Sequence, residues 1–228
     1  MKKNLFFDVG QTLAHPKTGN WFITPNFFNI LGDIDLDIIL SSEAKCMHLL
    51  DERTINTEDE EFDMFCKYYE SLLREMNYPD ITTEKIRALA YDNVFNNEKI
   101  ELFPDVEKIL KVLSKDYDLY IISNAWPSTY RLLKHLGIYE LFTGVFISST
   151  SGFTKDDKTL FEIALTGIDP DDKNYFIDDR IDLVEMSLEY GFVPILIDRE
   201  YDDETTYIKI HDLKELKEAL DIMDKKLT

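Results

Sequence analysis

Five short runs of apolar, strand-favouring residues recur along the chain: NLFFD (4–8), DLYIIS (118–123), GVFIS (144–148), NYFID (174–178) and VPILI (193–197). Between the later runs the spacing becomes helical. Val106, Ile109, Leu110 and Leu113 fall at i, i+3, i+4 and i+7, the stripe of an amphipathic helix. Further helices are predicted near 127–136, 156–166 and 180–190, each followed by a glycine, Gly137, Gly167 and Gly191. Glycine is favoured just past a helix end because it takes a left-handed backbone without a Cβ clash. Strand and helix alternating in this way predict βαβ units: an α/β fold with a doubly wound, Rossmann-like parallel sheet covered by helices on both faces. YIKI (207–210) reads as an edge strand and 211–222 as a closing helix.

One segment breaks the alternation. After the first strand, some 85 residues pass before the next βα unit, and helical patterns fill them. The clearest is 57–76, where Thr57 and Glu60 have capping-box spacing and Phe62, Phe65, Tyr69, Leu72, Leu73 and Met76 form the apolar stripe. Residues 35–50 and 83–95 also read as helices. The expected organisation is an α-helical domain, 15–98, inserted into an α/β domain made of 1–14 and 99–228.

Charge narrows the partners. The 228 residues carry 25 Lys+Arg against 45 Asp+Glu, a net charge of −20. Such an excess repels nucleic acid and anionic lipid, so neither is expected as a partner. An anionic substrate must therefore be drawn in by a local cation. Cys46 and Cys66 match no metal or redox spacing and read as two buried thiols in a reduced compartment. The apolar run after Lys2 and Lys3 is too short for a signal peptide, and no stretch approaches the roughly 20 apolar residues of a membrane span. A cytoplasmic protein without a membrane partner is expected; the sequence assigns no oligomeric state.

The polar residues that end the strands carry the chemistry. Asp8 ends the first, Ser123 and Asn124 end the second, and Asp178 and Asp179 end a later one. In open α/β sheets ligands bind outside the carboxyl ends of the strands, where the strand order reverses. Carboxylates converging there resist joint ionisation unless a cation lies between them. Mg²⁺ suits such a place, since it takes oxygen ligands and is usually held by one or two carboxylates plus substrate phosphate. Lys155, at a loop-to-helix junction after 144–148, can supply further positive charge. Each residue alone has an ordinary structural explanation: Asp8 as a helix cap, Ser123-Asn124 as a turn, Lys155 as a surface lysine. The ordered set does not.

That set resembles the haloacid dehalogenase (HAD)-like hydrolase superfamily. FFDVGQTL stands where the family has a strand and D-x-D-x-T-L, and LYIISNAW where it has a strand ending in Ser or Thr. KDDKTLF matches its third motif, a lysine opening K-P-D-P-x-I-F, and YFIDDRIDLVEMSLEYG its strand ending in paired acids. The inserted helices lie where the family carries a cap of its first type. The resemblance implies that Asp8 is a nucleophile forming an aspartyl ester or aspartyl phosphate. It implies that Ser123, with the backbone N–H of Asn124, holds the phosphoryl oxygens and that Lys155 screens charge. Asp8, Asp178, Asp179 and the carbonyl of Gly10 would hold Mg²⁺. Thr12, at the motif threonine, would brace the turn and count with Ser123 and Asn124 among the substrate-binding residues.

The departures are as informative. The family's phosphatases carry an acid two residues after the nucleophile, which protonates the leaving alcohol; here that residue is Gly10. A positioned acid–base is typically worth about 10²–10⁴-fold, so alkyl phosphates are expected to be poor substrates. Asp156 replaces the third motif's proline, and Asp182 stands one place early for the downstream acid. Three readings follow. The first is a Mg²⁺-dependent phosphatase for a small phosphorylated metabolite, with His15 a candidate surrogate acid. The second is a dehalogenase- or phosphonatase-like enzyme cleaving a carbon-centred bond, the latter needing a cap lysine such as Lys45, Lys67 or Lys85. The third is a non-catalytic binding protein of the same fold.

Overall fold

The apolar runs become the interior of one parallel sheet, because a strand between crossover helices is covered on both faces and keeps no side for water. The computed structural model of the protein describes residues 2–50, 54–157, 159–200 and 204–226. Lys158, inside one expected helix, and residues 201–203 of an acidic run lie outside them. The strands are β1 (Lys3–Phe7), β2 (Ala14–Pro16), β3 (Ile100–Leu102), β4 (Asp118–Ser123), β5 (Gly144–Ile147), β6 (Lys173–Asp178), β7 (Val193–Ile197) and β8 (Ile208–Ile210). The helices are α1 (Phe27–Leu31), α2 (Leu36–Cys46), α3 (Glu58–Glu75), α4 (Thr83–Phe95), α5 (Val106–Leu113), α6 (Ser128–His135), α7 (Ser148–Ser151), α8 (Thr159–Leu165), α9 (Ile181–Ser187) and α10 (Leu216–Lys226).

Six strands form a parallel sheet in the order β5-β4-β1-β6-β7-β8. The chain builds outward from β1 to β5, then crosses back to lay β6, β7 and β8 on the other side. Strand order therefore reverses between β1 and β6, the strands that end beside Asp8 and Asp178. Side chains alternate across the sheet. Leu5, Phe7, Leu119, Ile121, Tyr175 and Ile177 face α5, α6 and α10 through Val106, Leu110, Leu133 and Leu220. Phe6, Ile122 and Phe176 face α8 and α9 through Leu160, Phe161 and Leu183.

The helices between β1 and the rest of the sheet build a separate core. Phe65, Tyr69, Leu72 and Leu73 of α3 pack with Leu89, Ala90 and Val94 of α4 and with Phe27 and Ile39. The Thr57–Glu60 capping box forms at the start of α3, the Thr57 hydroxyl accepting from the Glu60 N–H and the Glu60 carboxylate from the Thr57 N–H. A feature with no sequence signal joins this unit to the sheet: β2 and β3 pair antiparallel, Ala14 opposite Leu102 and Pro16 opposite Ile100. Strands of three residues are too short to show a period.

Several boundaries differ from expectation. The helix expected over 35–50 ends at Cys46 and continues as a tighter 3₁₀ turn over Met47–Leu50, and that over 180–190 does the same at Leu188–Tyr190. Gly191 then takes a left-handed φ of 78°, which ends the turn. The closing helix starts later than expected, at Leu216. Cys46 is buried, Cys66 is half-buried rather than buried, and neither is in a disulfide. No helix among the described residues is long and apolar enough to cross a membrane.

Candidate active site

The ladder between β1 and β6 runs one residue beyond the strands. The Asp8 N–H donates to the Ile177 carbonyl (3.0 Å), which sets Asp8 level with Asp178. Lys155, in the loop between α7 and α8, reaches both. Its Nζ lies 2.5 Å from Asp8 Oδ1 and 2.6 Å from Asp178 Oδ2. All three side chains are buried, Asp178 completely. The second Asp178 oxygen accepts the Arg180 backbone N–H (2.9 Å). Asp178 thus has both oxygens occupied by the protein, although the sequence placed it beside Asp179 as a metal ligand. The half-buried Asp179 carboxylate forms no ion pair or hydrogen bond with another residue among the described residues.

The titration behaviour follows from this crowding. Burial pulls the Lys155 pKa down, but Asp178 and Asp8 outweigh it and hold the ammonium above its ordinary range. Burial pushes Asp178 up, and Asp8 adds to the push while Lys155 opposes it. Burial, then Asp8 and Asp178, push Asp179 up to about 7. Three carboxylates share one ammonium, and the surplus falls on Asp179.

Lys155→Met is expected to leave Asp8 and Asp178 buried without their cation, at a cost of about 3–5 kcal/mol at pH 8. Burial already raises Asp178, and without Lys155 to oppose it that carboxyl titrates higher still in the folded than in the unfolded chain. The folded variant then binds more protons, and its stability recovers as the pH falls towards about 5. Urea unfolding at both pH values checks this; equal stability of variant and parent at pH 8 would refute it.

A polar chain holds the lysine loop. Asn124 Oδ1 accepts the Lys155 backbone N–H (2.8 Å), and Asn124 Nδ2 donates to Asp156 Oδ2 (2.9 Å). Arg180 Nη2 donates to Asp156 Oδ1 (2.8 Å) and to Asp182 Oδ2 (2.6 Å). Asp156, standing for the missing proline, braces the loop by hydrogen bonds. Asp182 serves Arg180. The Asn124 side chain is likewise committed to the loop, whereas the Ser123 hydroxyl has no hydrogen-bond partner among the described residues.

The turn after Asp8 is tight. The Leu13 and Ala14 N–H groups both donate to the Val9 carbonyl (2.9 Å each), and Gln11 takes a left-handed φ of 54°. Thr12, read from the sequence as a substrate-binding residue, is fully buried behind this turn and does not line the cavity described below. Its carbonyl accepts from Arg199 Nε (3.1 Å) and Nη2 (2.7 Å), and Arg199 is fixed by Asp105 (3.1 Å) and stacks over the Phe103 ring. Gly10 has a backbone that any residue could adopt, but a Cβ there would lie 3.3 Å from Cζ2 of Trp21 and 3.8 Å from Asp8 Oδ2. An indole ring stands where the family's second acid would project.

These groups open onto a cavity of about 360 Å³ between the sheet edge and the helical insert. Asp8, Gly10, Ser123, Asn124, Lys155, Asp178 and Asp179 all line it, so seven of the eight residues singled out from the sequence meet there. Apolar walls come from Trp21, Phe22, Met47, Trp126, Leu132 and Leu133, and the polar residues Asn93 and Lys99 lie on the side of β3. Trp21, Asn93 and Lys99 carried no signal in the sequence, because they belong to stretches whose placement depends on how the insert docks. His15 does not line the cavity: it packs on Phe103, its Nε2 3.7 Å from Glu101. Lys45, Lys67 and Lys85 do not line it either.

Glu61 and Arg131 tie the insert to the sheet domain beside this cavity. The buried Glu61 of α3 accepts from the backbone N–H (2.8 Å) and hydroxyl (2.7 Å) of Ser128 at the start of α6. Arg131 of α6 pairs with Glu58 (3.1 Å) and also donates to Asn97 and to the Val94 carbonyl.

The donor set fits Mg²⁺. Among the described residues no three His, Cys, Asp or Glu side chains group around a metal position. Two carboxylates and a carbonyl are a common protein share for Mg²⁺, which keeps several waters. Asp179, half-buried beside two other acids and with no ion pair of its own among the described residues, is the kind of ligand such an ion neutralises. Asp8, Asp179 and the Gly10 carbonyl are the donors available.

A parallel sheet reversing at a strand-end carboxylate, roofed by inserted helices, defines a capped, doubly wound α/β protein with its site at the switch point. Residues 34–191 match the haloacid dehalogenase-like hydrolase family, and the chain belongs to it. The uncharacterised protein YMR130W of Saccharomyces cerevisiae is 38% identical over 71 residues, 29% of this chain and 24% of that protein, so the alignment spans about a quarter of its length. YfnB of Bacillus subtilis, solved with bound magnesium, superposes with a TM-score of 0.72 at 19% identity, covering 96% of this chain and 99% of its own. L-2-haloacid dehalogenase of Xanthobacter autotrophicus gives 0.67 at 14% identity, over 97% and 99% of the two chains. A HAD phosphatase of Thermococcus onnurineus gives 0.59 at 19%, over 96% and 98%. At these identities the likeness to the three structures is one of fold.

Proposed function

We propose that this hydrolase is a Mg²⁺-dependent phosphatase that acts on a small phosphorylated metabolite through an aspartyl-phosphate on Asp8. The observation that carries the reading is Asp8 held by Lys155 at the sheet's switch point, beside an Asp179 carboxylate that has no ion pair of its own among the described residues. Asp8 Oδ1 is fixed by Lys155, which leaves Oδ2 as the attacking oxygen. As Oδ2 forms its bond to phosphorus, the phosphorus–oxygen bond to the leaving group breaks and its electron pair goes to the leaving oxygen. The Ser123 hydroxyl and the Lys155 ammonium stabilise the phosphoryl oxygens. Water then attacks phosphorus, the bond from phosphorus to Oδ2 breaks with its electron pair returning to the Asp8 carboxylate, and both protons of the water leave with inorganic phosphate. Mg²⁺, when bound by Asp8, Asp179 and the Gly10 carbonyl, would neutralise charge on the phosphoryl group.

Gly10 cannot protonate the leaving oxygen, so the reading favours leaving groups that depart as stable anions. Aryl and acyl phosphates should outpace alkyl phosphates. Release of p-nitrophenol from p-nitrophenyl phosphate in the presence of Mg²⁺ is the direct test, and no release above buffer would sink the reading.

Metal binding should depend on pH with a defined sign. Asp179 must lose its proton to bind, and in the metal-free protein it holds that proton up to about 7. The apparent Mg²⁺ affinity is expected to rise about tenfold per pH unit below that value and to level off above it. The linkage runs the other way for the metal-free fold. Its Asp179 is raised from 3.8 to about 7, so its stability falls as the pH climbs through that window. Calorimetric Mg²⁺ titrations from about pH 5.5 to 8 test this; a flat affinity would remove Asp179 from the metal site.

The apolar wall over Gly10 favours a second reading, cleavage of a carbon-centred bond that needs no acid. Halide release from a 2-haloacid with metal withheld would select it. The unpaired Asp179, which a metal-free reaction leaves without purpose, weighs against it.

A further inference from the structure

Lys99 is the buried charge that the proposed reaction does not use. It directly precedes β3, is 9% exposed, and lines the same cavity as Asp8. Its Nζ donates one hydrogen bond, to Asn93 Oδ1 (3.1 Å), and no carboxylate lies within ion-pair distance among the described residues. Asn93 cannot turn to offer more. Its Nδ2 donates to the Trp21 carbonyl (3.1 Å), which can only accept, and to the Tyr69 hydroxyl (2.9 Å). The amide oxygen is thereby fixed towards Lys99.

An ammonium has three donors, so two remain for whatever enters the cavity. Burial pulls the Lys99 pKa down to about 8, Glu61 opposes through space and Arg131 adds to the fall. The charged groups acting on it are otherwise committed. Glu61 is held by Ser128, Glu58 by Arg131, and Asp92 by Asn26 and Asn96. A buried cation without an ion pair weakens a fold unless a ligand completes it.

We propose that Lys99 forms an anion subsite on the β3 side of the cavity and seats a carboxylate at the end of the substrate away from its phosphoryl group. The substrate class is therefore an acyl or aryl phosphate that carries a carboxylate at its far end across an apolar spacer. The proposal rests on the phosphatase reading for the phosphoryl end alone. One ammonium balances one carboxylate. A second phosphate would bring a second negative charge to one ammonium and towards Glu61, the acid that acts most strongly on Lys99.

The test compares 3-phosphonopropanoate, whose carbon–phosphorus bond resists this hydrolysis, with its neutral carboxamide, by calorimetry on the Mg²⁺-loaded protein. The acid is expected to bind about tenfold or more tightly than the amide. Equal binding of the two by the parent protein overturns the proposal without any variant, as does failure to bind either. In Lys99→Met the preference should vanish, while Lys99→Arg should keep part of it. If Lys99 serves merely to hold Asn93, Lys99→Met will instead melt at a lower temperature and keep the preference, which also overturns the proposal. The two readings separate cleanly. Acid preference without turnover of any phosphate ester keeps the subsite and removes the phosphatase, and turnover without acid preference does the reverse.

Discussion

Asp8→Asn is expected to leave a folded protein whose turnover of p-nitrophenyl phosphate has fallen by at least about 10⁴-fold, the scale of loss when a covalent nucleophile is removed. The amide matches the carboxylate in shape, and its oxygen can still accept from Lys155 Nζ, now at 2.5 Å. It cannot attack phosphorus. Removing one of three crowded negative charges should lower the Asp179 pKa, since Asp8 is the largest charge acting on it after burial. The metal-free variant should therefore melt no lower than the parent, which separates lost chemistry from lost fold. Steady-state rates with Mg²⁺ present and a melting curve without it are the two measurements. Activity surviving within about tenfold of the parent would place the attacking atom elsewhere, for instance on water.

Gly10→Asp on its own should yield little. The backbone at Gly10 accepts a side chain, but the new Cβ would sit 3.3 Å from the Trp21 ring, which must give way before the carboxylate can be placed. Combined with Trp21→Leu, the acid gains room beside the leaving group. Turnover of alkyl phosphates should then rise by about 10²–10⁴-fold, the worth of a positioned acid–base. Turnover of p-nitrophenyl phosphate should change far less, because its leaving group departs without a proton. The ratio of the two rates is the measurement that matters, since Trp21→Leu also alters the cavity wall. A double variant that folds and binds metal yet shows no rise in that ratio would mean that the glycine serves chemistry other than phosphate-ester cleavage.

The strands were legible because burial on both faces leaves uninterrupted apolar runs such as Leu5-Phe6-Phe7 and Ile121-Ile122. Asp8, Ser123, Lys155 and Asp178 were legible because a parallel sheet delivers its strand ends to one edge, so order along the chain predicts proximity. The pairing of Lys155 with Asp178 and not with Asp179 was not. Consecutive strand residues point to opposite faces, and the sequence does not say from which face Lys155 arrives. Thr12 could not be placed either, because the partner of its carbonyl, Arg199, is 187 residues away in the chain. Trp21 and Lys99 stayed hidden for a related reason. They flank the β2–β3 ribbon, where no periodicity operates and docking of the insert alone decides which side chains face the cavity.

The indole that closes the space above Gly10 has an optical consequence. The chain contains two tryptophans. Trp21 comes from the insert side and Trp126 follows β4, and both form part of the cavity wall. Near-ultraviolet emission from this protein is thus concentrated at the place where ligands enter. Separation of insert and sheet domain would move one fluorophore away from the other and bring water to both. Intrinsic fluorescence can therefore follow opening and filling of the cavity in real time, with no label attached.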